Sequence, residues 1–327
     1  MTKELDKKDW KILELLCTDS RLSHNRIAKL IGLSKNAVTY RIERLKKRGI
    51  IDGYFTIIQH ELIGISDYEL LLKINASKEQ EQALIKHLKD LPNLMVLNRL
   101  SGEWNFVMEF GCKKIEDFYK IIDELKNKFS DIIDTFEMHP ILYPYKVEQL
   151  PIELIKQKEI KEFKRTNEII NLDKINQQIL FELNKDSTIP LYQLAVKTGI
   201  TAETVTTRIK KLKKEIIIRN TAKINLNKLG YDLYLVMLDT RNLSKDRESA
   251  LRSYINLNKR IRYAFMSASR PLIMTYFAAK TSEELDEFLT QLKEQFSDII
   301  MNQKYLFVRE QYKYNLFPEG FLDENNK

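Results

Sequence analysis

Between Ser34 and Arg48 the chain sets six cations, Lys35, Arg41, Arg44, Lys46, Lys47 and Arg48, against one acid, Glu43. Val38, Ile42 and Leu45 recur at spacings of four and three, which makes one buried helical face and turns the cations outward. An outward Asn pairs with adenine and an outward Lys with guanine, while cations further along meet phosphates, which position without specifying. Lys35, Asn36, Thr39 and Tyr40 are the candidates for base edges, and Arg41, Arg44, Lys46 and Lys47 those for phosphates. Ser34 precedes them as an N-cap, its side-chain oxygen satisfying an otherwise orphaned amide. The rival reading, a merely solvated charged face, is decided by the setting of the helix.

That setting is a helix-turn-helix. Trp10, Ile12, Leu13, Leu15 and Leu16 give a helical stripe through roughly Lys8–Thr18, and a second helix covers about Ser23–Ile31. Gly32 breaks the chain where a left-handed turn is needed. Gly49 ends the basic helix, and Ile50–Ile58 reads as the short strands of a wing. The whole unit recurs. LDKKDWKILELL at 5–16 returns as LDKINQQILFEL at 172–183, and FSDII at 129–133 as FSDII at 296–300, both offset by 167 residues. One register held at both ends marks a tandem duplication. In copy two, Ala202 and Glu203 replace Lys35 and Asn36, and Ile216 replaces Gly49. A carboxylate repels phosphate, so Thr204, Thr207, Arg208, Lys210 and Lys211 are expected to anchor DNA more than read it.

The remainder of each copy reads strand, helix, strand, strand, helix, strand. Copy one places these at Tyr68–Ile74, Glu79–Leu88, Val96–Leu100, Phe106–Phe110, Ile115–Phe129 and Ile132–Leu142. The expected fold is α+β, a winged helix-turn-helix plus a ferredoxin-like βαββαβ domain, twice over. Its expected domains are helix-turn-helix units at 1–60 and 172–227, βαββαβ domains at 61–147 and 228–315, a charged linker at 148–171 and a tail at 316–327.

LDKKDWKILELL, IAKLIGLSKNAVTYRIERLKKRGIIDGY and LSGEWNFVMEF resemble the leucine-responsive/asparagine-synthesis regulator (Lrp/AsnC) family, and LAVKTGITAETVTTRIKKLKKEIII carries the likeness into copy two. The tandem arrangement resembles archaeal forms. The resemblance implies transcriptional regulation on double-stranded DNA and βαββαβ domains paired as dimers. It also implies a small effector, commonly an amino acid, near that pairing. By family position the effector residues are Arg99, Gly102, Trp104 and Asn105, although the family's usual acid is here an amide, which cannot supply charge for an ammonium group. Two paired domains on one chain imitate a dimer, and a further homodimer is open.

The chain resembles a second class as well: tandem proteins of this architecture decarboxylate sirohaem-type tetrapyrroles, and His139, Arg309, Tyr312 and Tyr314 are the residues to which such a pocket would fall. Those enzymes need no basic recognition helix, and this chain has one. His24, His60, His87 and His139 stand outside any metal or triad pattern and read as surface or boundary residues, so no catalytic residue, metal or cofactor is expected. Cys17 and Cys112 read as buried free thiols. The opening MTKELDKKDW has no apolar stretch and no run reaches membrane-span length, so a cytoplasmic protein is expected. A net charge of +8 is too small to choose a partner, and its placement on the helix carries the argument.

Overall fold

The computed structural model describes residues 5–151, 168–241 and 244–322. Copy one runs α1 (Lys7–Thr18), α2 (His24–Ile31), α3 (Lys35–Lys47), β1 (Ile51–Ile58), β2 (Ser66–Ile74), α4 (Lys78–Asp90), β3 (Leu94–Ser101), β4 (Phe106–Cys112), α5 (Ile115–Phe129) and β5 (Ile133–Val147). Copy two repeats this as α6 (Lys174–Lys185), α7 (Leu191–Thr198), α8 (Ala202–Glu215), β6 (Ile217–Ile224), β7 (Asp232–Thr240), α9 (Lys245–Leu257), β8 (Ile261–Ser267), β9 (Ile273–Ala279), α10 (Ser282–Gln295) and β10 (Ile300–Tyr314). The chain divides into two compact units: both helix-turn-helix copies form one, and both βαββαβ copies form the other. Most of the charged linker expected at 148–171 lies outside the described residues.

In the helix-turn-helix unit, Asp6 caps α1 by accepting the amides of Lys8 and Asp9, and Ser23 and Ser34 cap α2 and α3. Gly32 takes φ 67° and ψ 52°, the left-handed conformation that lets α3 leave α2 through a tight turn. Ile12, Leu13, Ile27, Val38, Ile42 and Leu45 are buried among the three helices. The wing differs from the expectation of several short strands. β1 is one uninterrupted strand, and its antiparallel partner is β6 of the other copy. Its register, Tyr54 with Ala222 and Phe55 with Thr221, places 167-residue counterparts symmetrically about the pair. The hydroxyls of Ser20 and its counterpart Ser187 meet at 2.7 Å, so a local two-fold axis runs between the copies.

The other unit is an eight-stranded closed barrel. Each copy contributes a four-stranded antiparallel sheet, ordered β3-β4-β2-β5 and β8-β9-β7-β10. The sheets join edge to edge at two seams, β5 with β8 and β10 with β3. Ile141 pairs with Ser267 at one seam, and their counterparts Val308 and Leu100 pair at the other. Joining the seams leaves the barrel without an edge strand among the described residues. Lysines lock them: Lys146 of copy one donates to the carbonyls of Asn256 and Asn258 at the end of α9, and Lys313 of copy two to those of Lys89 and Leu91 at the end of α4. A cation at a helix C-terminus satisfies orphan carbonyls and the helix dipole together.

Successive strand residues face opposite sides. Leu70, Leu72, Phe106, Met108 and Phe110 pack under α4 and α5, while Leu71, Val107, Leu235, Phe265 and Met274 fill the barrel. The C-terminal Leu316, Phe317 and Phe321 are also buried, and the Phe321 ring lies over Gly111, where an added Cβ would come within 2.2 Å of it. Gly111→Ala is therefore expected to destabilise by about 1–3 kcal/mol through overpacking. Urea denaturation should show most of that cost vanishing in a Phe321→Ala background, and a cost unaffected by Phe321 would refute the packing account.

Candidate nucleic-acid interface

α3 presents Lys35, Asn36, Tyr40, Lys46 and Lys47 to solvent, with Tyr40 67% exposed. The Ser34 hydroxyl accepts from the Ala37 amide at 3.2 Å, which fixes where the helix begins and hence where Lys35 and Asn36 stand. Thr39 is half-buried, its hydroxyl donating to the Lys35 carbonyl at 3.0 Å. Lys46 pairs with Glu43 at 3.1 Å and lies 5.4 Å from the Tyr54 ring centre.

Arg41 and Arg44 are not placed as expected. Both turn back onto α1, where Asp9 is fully buried. Arg41 holds Asp9 at 2.8 Å and Asp6 at 2.7 Å, and Arg44 holds Asp9 at 2.6 Å. The structure gives these two side chains a structural role: a buried carboxylate needs charge partners, and the two guanidiniums supply them. Sequence reasoning missed Asp9. The signal available was an acid inside the apolar stripe of α1, at a position where copy two has Asn176.

Copy two exposes Thr204, Thr207, Lys210 and Lys211 on α8, together with Ala202 and Glu203 at its start. The Thr207 hydroxyl is bonded to the Glu203 carbonyl, and Thr204 to the capping Thr201. Arg208 bonds Asn176 at 3.1 Å, the neutral analogue of the Arg41–Asp9 pair. α8 runs to Glu215 and passes through Ile216 directly into β6, whereas copy one inserts Gly49 at φ 67° between α3 and β1. The junctions differ as the sequences do.

The residues carried over as an effector site are occupied by other duties. Trp104 is 8% exposed and packs in the barrel interior with Leu71 and Leu306. The Asn105 side chain accepts from the Ile74 amide at 2.8 Å, and its backbone joins Leu100 to Leu72, so the amide holds a turn. Arg99 ion-pairs with Glu81 and stacks 5.2 Å from the Phe106 ring centre. Gly102, at φ 122°, lies against Leu306.

The residues to which a tetrapyrrole pocket would fall have separate surroundings in two cases. Arg309 is exposed and Tyr312 packs against the helix-side core of copy one. His139 is fully buried, with Nδ1 2.9 Å from the Ser269 hydroxyl, and burial pushes its ring down to about 4. His60 is buried too, contrary to the surface reading. Burial opposes its charge, but Asp67 at 2.7 Å and the Leu316 carbonyl at 2.7 Å outweigh it, and the ring is raised to about 9. Among the described residues no group of His, Cys, Asp and Glu is arranged to hold a metal, and no helix is long and apolar enough to cross a membrane.

Residues 5–52 match the winged helix-turn-helix DNA-binding family, and residues 172–213 match the AsnC-type helix-turn-helix domain. The HTH-type transcriptional regulator Ptr1 of Methanocaldococcus jannaschii is 33% identical over 121 residues, which span 37% of this chain and 80% of that protein. The DNA-binding transcriptional activator DecR of Escherichia coli K12 is 29% identical over 154 residues, 46% of this chain and 99% of its own. Each is thus nearly spanned by under half of this chain, as a duplication requires. Among solved structures, the siroheme decarboxylase NirDL aligns over 96% of both chains with a TM-score of 0.63 at 13% identity, a likeness of fold.

Proposed function

Because the chain belongs to the Lrp/AsnC family of regulators, we propose that it is a sequence-specific DNA-binding transcription regulator. Copy one reads the major groove through Lys35, Asn36, Thr39 and Tyr40. Lys46 and Lys47 meet phosphates, and Arg41 and Arg44 hold the reading helix in place. Copy two anchors through Thr204, Thr207, Lys210 and Lys211. The observation that carries this reading is the exposed basic start of α3, set by the Ser34 cap and braced from behind by Asp9.

The shared barrel and the Ser20–Ser187 contact support a single chain doing the work of a dimer, with its two reading helices related by the local two-fold. A homodimer of such chains and an amino-acid effector belong to the same proposal; light scattering and thermal shift with the standard amino acids test them. The buried free cysteines Cys17 and Cys112 suit a cytoplasmic protein. We propose no enzymatic activity. The exposure of Arg309 and the packing of Tyr312 against the helix-side core support this, and an absorbance change on adding sirohaem-type compounds would count against it.

The test is retention of duplexes from a random pool under rising salt, followed by sequencing. One enriched motif, with binding that falls steeply as salt rises, is the expected result. Lys35→Ala should cost about 1–3 kcal/mol on the enriched site and little on random DNA, while Lys210→Ala should weaken both alike. Equal losses on every sequence would remove the division of labour between the copies. Absence of any binding at low salt would remove the function.

A further inference from the structure

Thr39, placed above among the base readers, is tied to a residue outside the recognition helix. Its oxygen stands 2.8 Å from Nδ1 of His24, the first residue of α2. A hydroxyl has one proton, and Thr39 donates its own to the Lys35 carbonyl. Toward the ring the Thr39 oxygen is therefore an acceptor, which assigns the ring proton to Nδ1. In the neutral ring Nε2 is then a bare acceptor. Burial is the main cause holding His24 below the ordinary histidine value; Lys46 and Lys35 push the same way and Glu43 opposes them, all three from α3.

The first helix of a helix-turn-helix crosses the phosphate backbone, and the positive end of its dipole favours an anion there. A neutral His24 offers a phosphate nothing, because both present acceptors at Nε2. A protonated ring offers an N–H and a charge while keeping its Nδ1 bond to Thr39. Copy two has no such pair. The residue at the start of α7 is Leu191, and Thr206, the counterpart of Thr39, donates to the Ala202 carbonyl at 2.8 Å.

We infer that His24 is a proton-linked phosphate contact of copy one that also fixes the Thr39 side chain for base reading. The inference rests on the DNA-binding reading. On docking, the ring takes a proton from water at Nε2, donates it to a phosphate oxygen, and presents Thr39 in one rotamer. Binding that takes up a proton strengthens as pH falls, by at most about tenfold per pH unit between the free and bound values of the group.

The experiment uses the full chain and the duplex enriched from the random pool, with a scrambled duplex as control, at fixed salt between pH 8 and pH 6. Wild type is expected to bind the enriched duplex roughly tenfold more tightly at the lower pH. His24→Leu, which installs the residue copy two already carries there, should have a flat profile. His24→Gln, neutral throughout but able to donate, should be flat as well, so a folding failure in one variant leaves the other to decide. A slope that persists in these variants, or a flat wild-type profile, overturns the inference while leaving DNA binding intact. Failure of wild type to bind any duplex at low salt overturns the function, and the inference with it.

Discussion

Asp9→Ala is expected to destabilise the helix-turn-helix unit by about 2–4 kcal/mol. The Asp9 side chain is 1% exposed and receives Arg41 and Arg44 within 2.8 Å, so its removal leaves two guanidiniums facing a void beside apolar α1. Two features keep the cost below that of a fully buried pair. The arginines retain 21% and 27% exposure and so reach water, and Arg41 keeps Asp6. The protein has two tryptophans, and Trp104 lies in the barrel, so urea denaturation in a Trp104→Phe background reads the helix-turn-helix unit through Trp10. Loss of DNA affinity should accompany the loss of stability, because the same pairs fix the direction of α3. A change under about 0.5 kcal/mol, the ordinary range for a surface substitution, would mean that the cluster is not a brace.

The second large effect is in the barrel. Glu69 and Glu109 stand opposite each other on β2 and β4 and are both buried, 1% and 8% exposed. Tyr276 donates to Glu69 at 2.8 Å, and Tyr263 approaches Glu109 at 3.4 Å. Burial, then the neighbouring carboxylate, raises Glu69 well above the carboxylate range; burial, then Asp67, raises Glu109 to about 8. Two carboxylates so placed hold at least one proton at neutral pH. An acid whose folded value lies above its unfolded one stabilises fully below the unfolded value, and that contribution is lost as pH rises through the folded value. The window is pH 6.5 to 9, where His139 is neutral in the folded protein and its remaining titration in the unfolded chain is common to wild type and variant. His60, raised to about 9, contributes a loss of the same sign in this window. Glu109→Gln should thus remove about 2 kcal/mol of the wild-type decline and leave the parts due to Glu69 and His60. If denaturation midpoints of wild type and variant fall in parallel from pH 6.5 to 9, the buried acid is not what titrates.

The sequence by itself determined everything that depends on local order. The 167-residue repeat, the cap Ser34, the left-handed turn at Gly32, the apolar face of Val38, Ile42 and Leu45, and the order βαββαβ are all readable, because helix and turn signals lie within a few residues of one another. The exposed start of the recognition helix follows from those signals alone.

What only the tertiary structure decided depends on partners far along the chain. β1 carries no mark saying that its partner is β6 instead of a neighbouring wing strand, because hydrogen bonds between backbones are blind to sequence. The direction of Arg41 and Arg44 was hidden for a related reason: an amphipathic pattern fixes which face is buried, but a long cation at the border of that face goes to water or to an acid according to what packs beside it, and here that is Asp9 of α1. Trp104, His139, Glu69 and Glu109 are polar or turn residues by type, and they are buried because the barrel closes. The β2 pattern marks one apolar face under the helices, but only the joining of the second copy's sheet withdraws the other face from water.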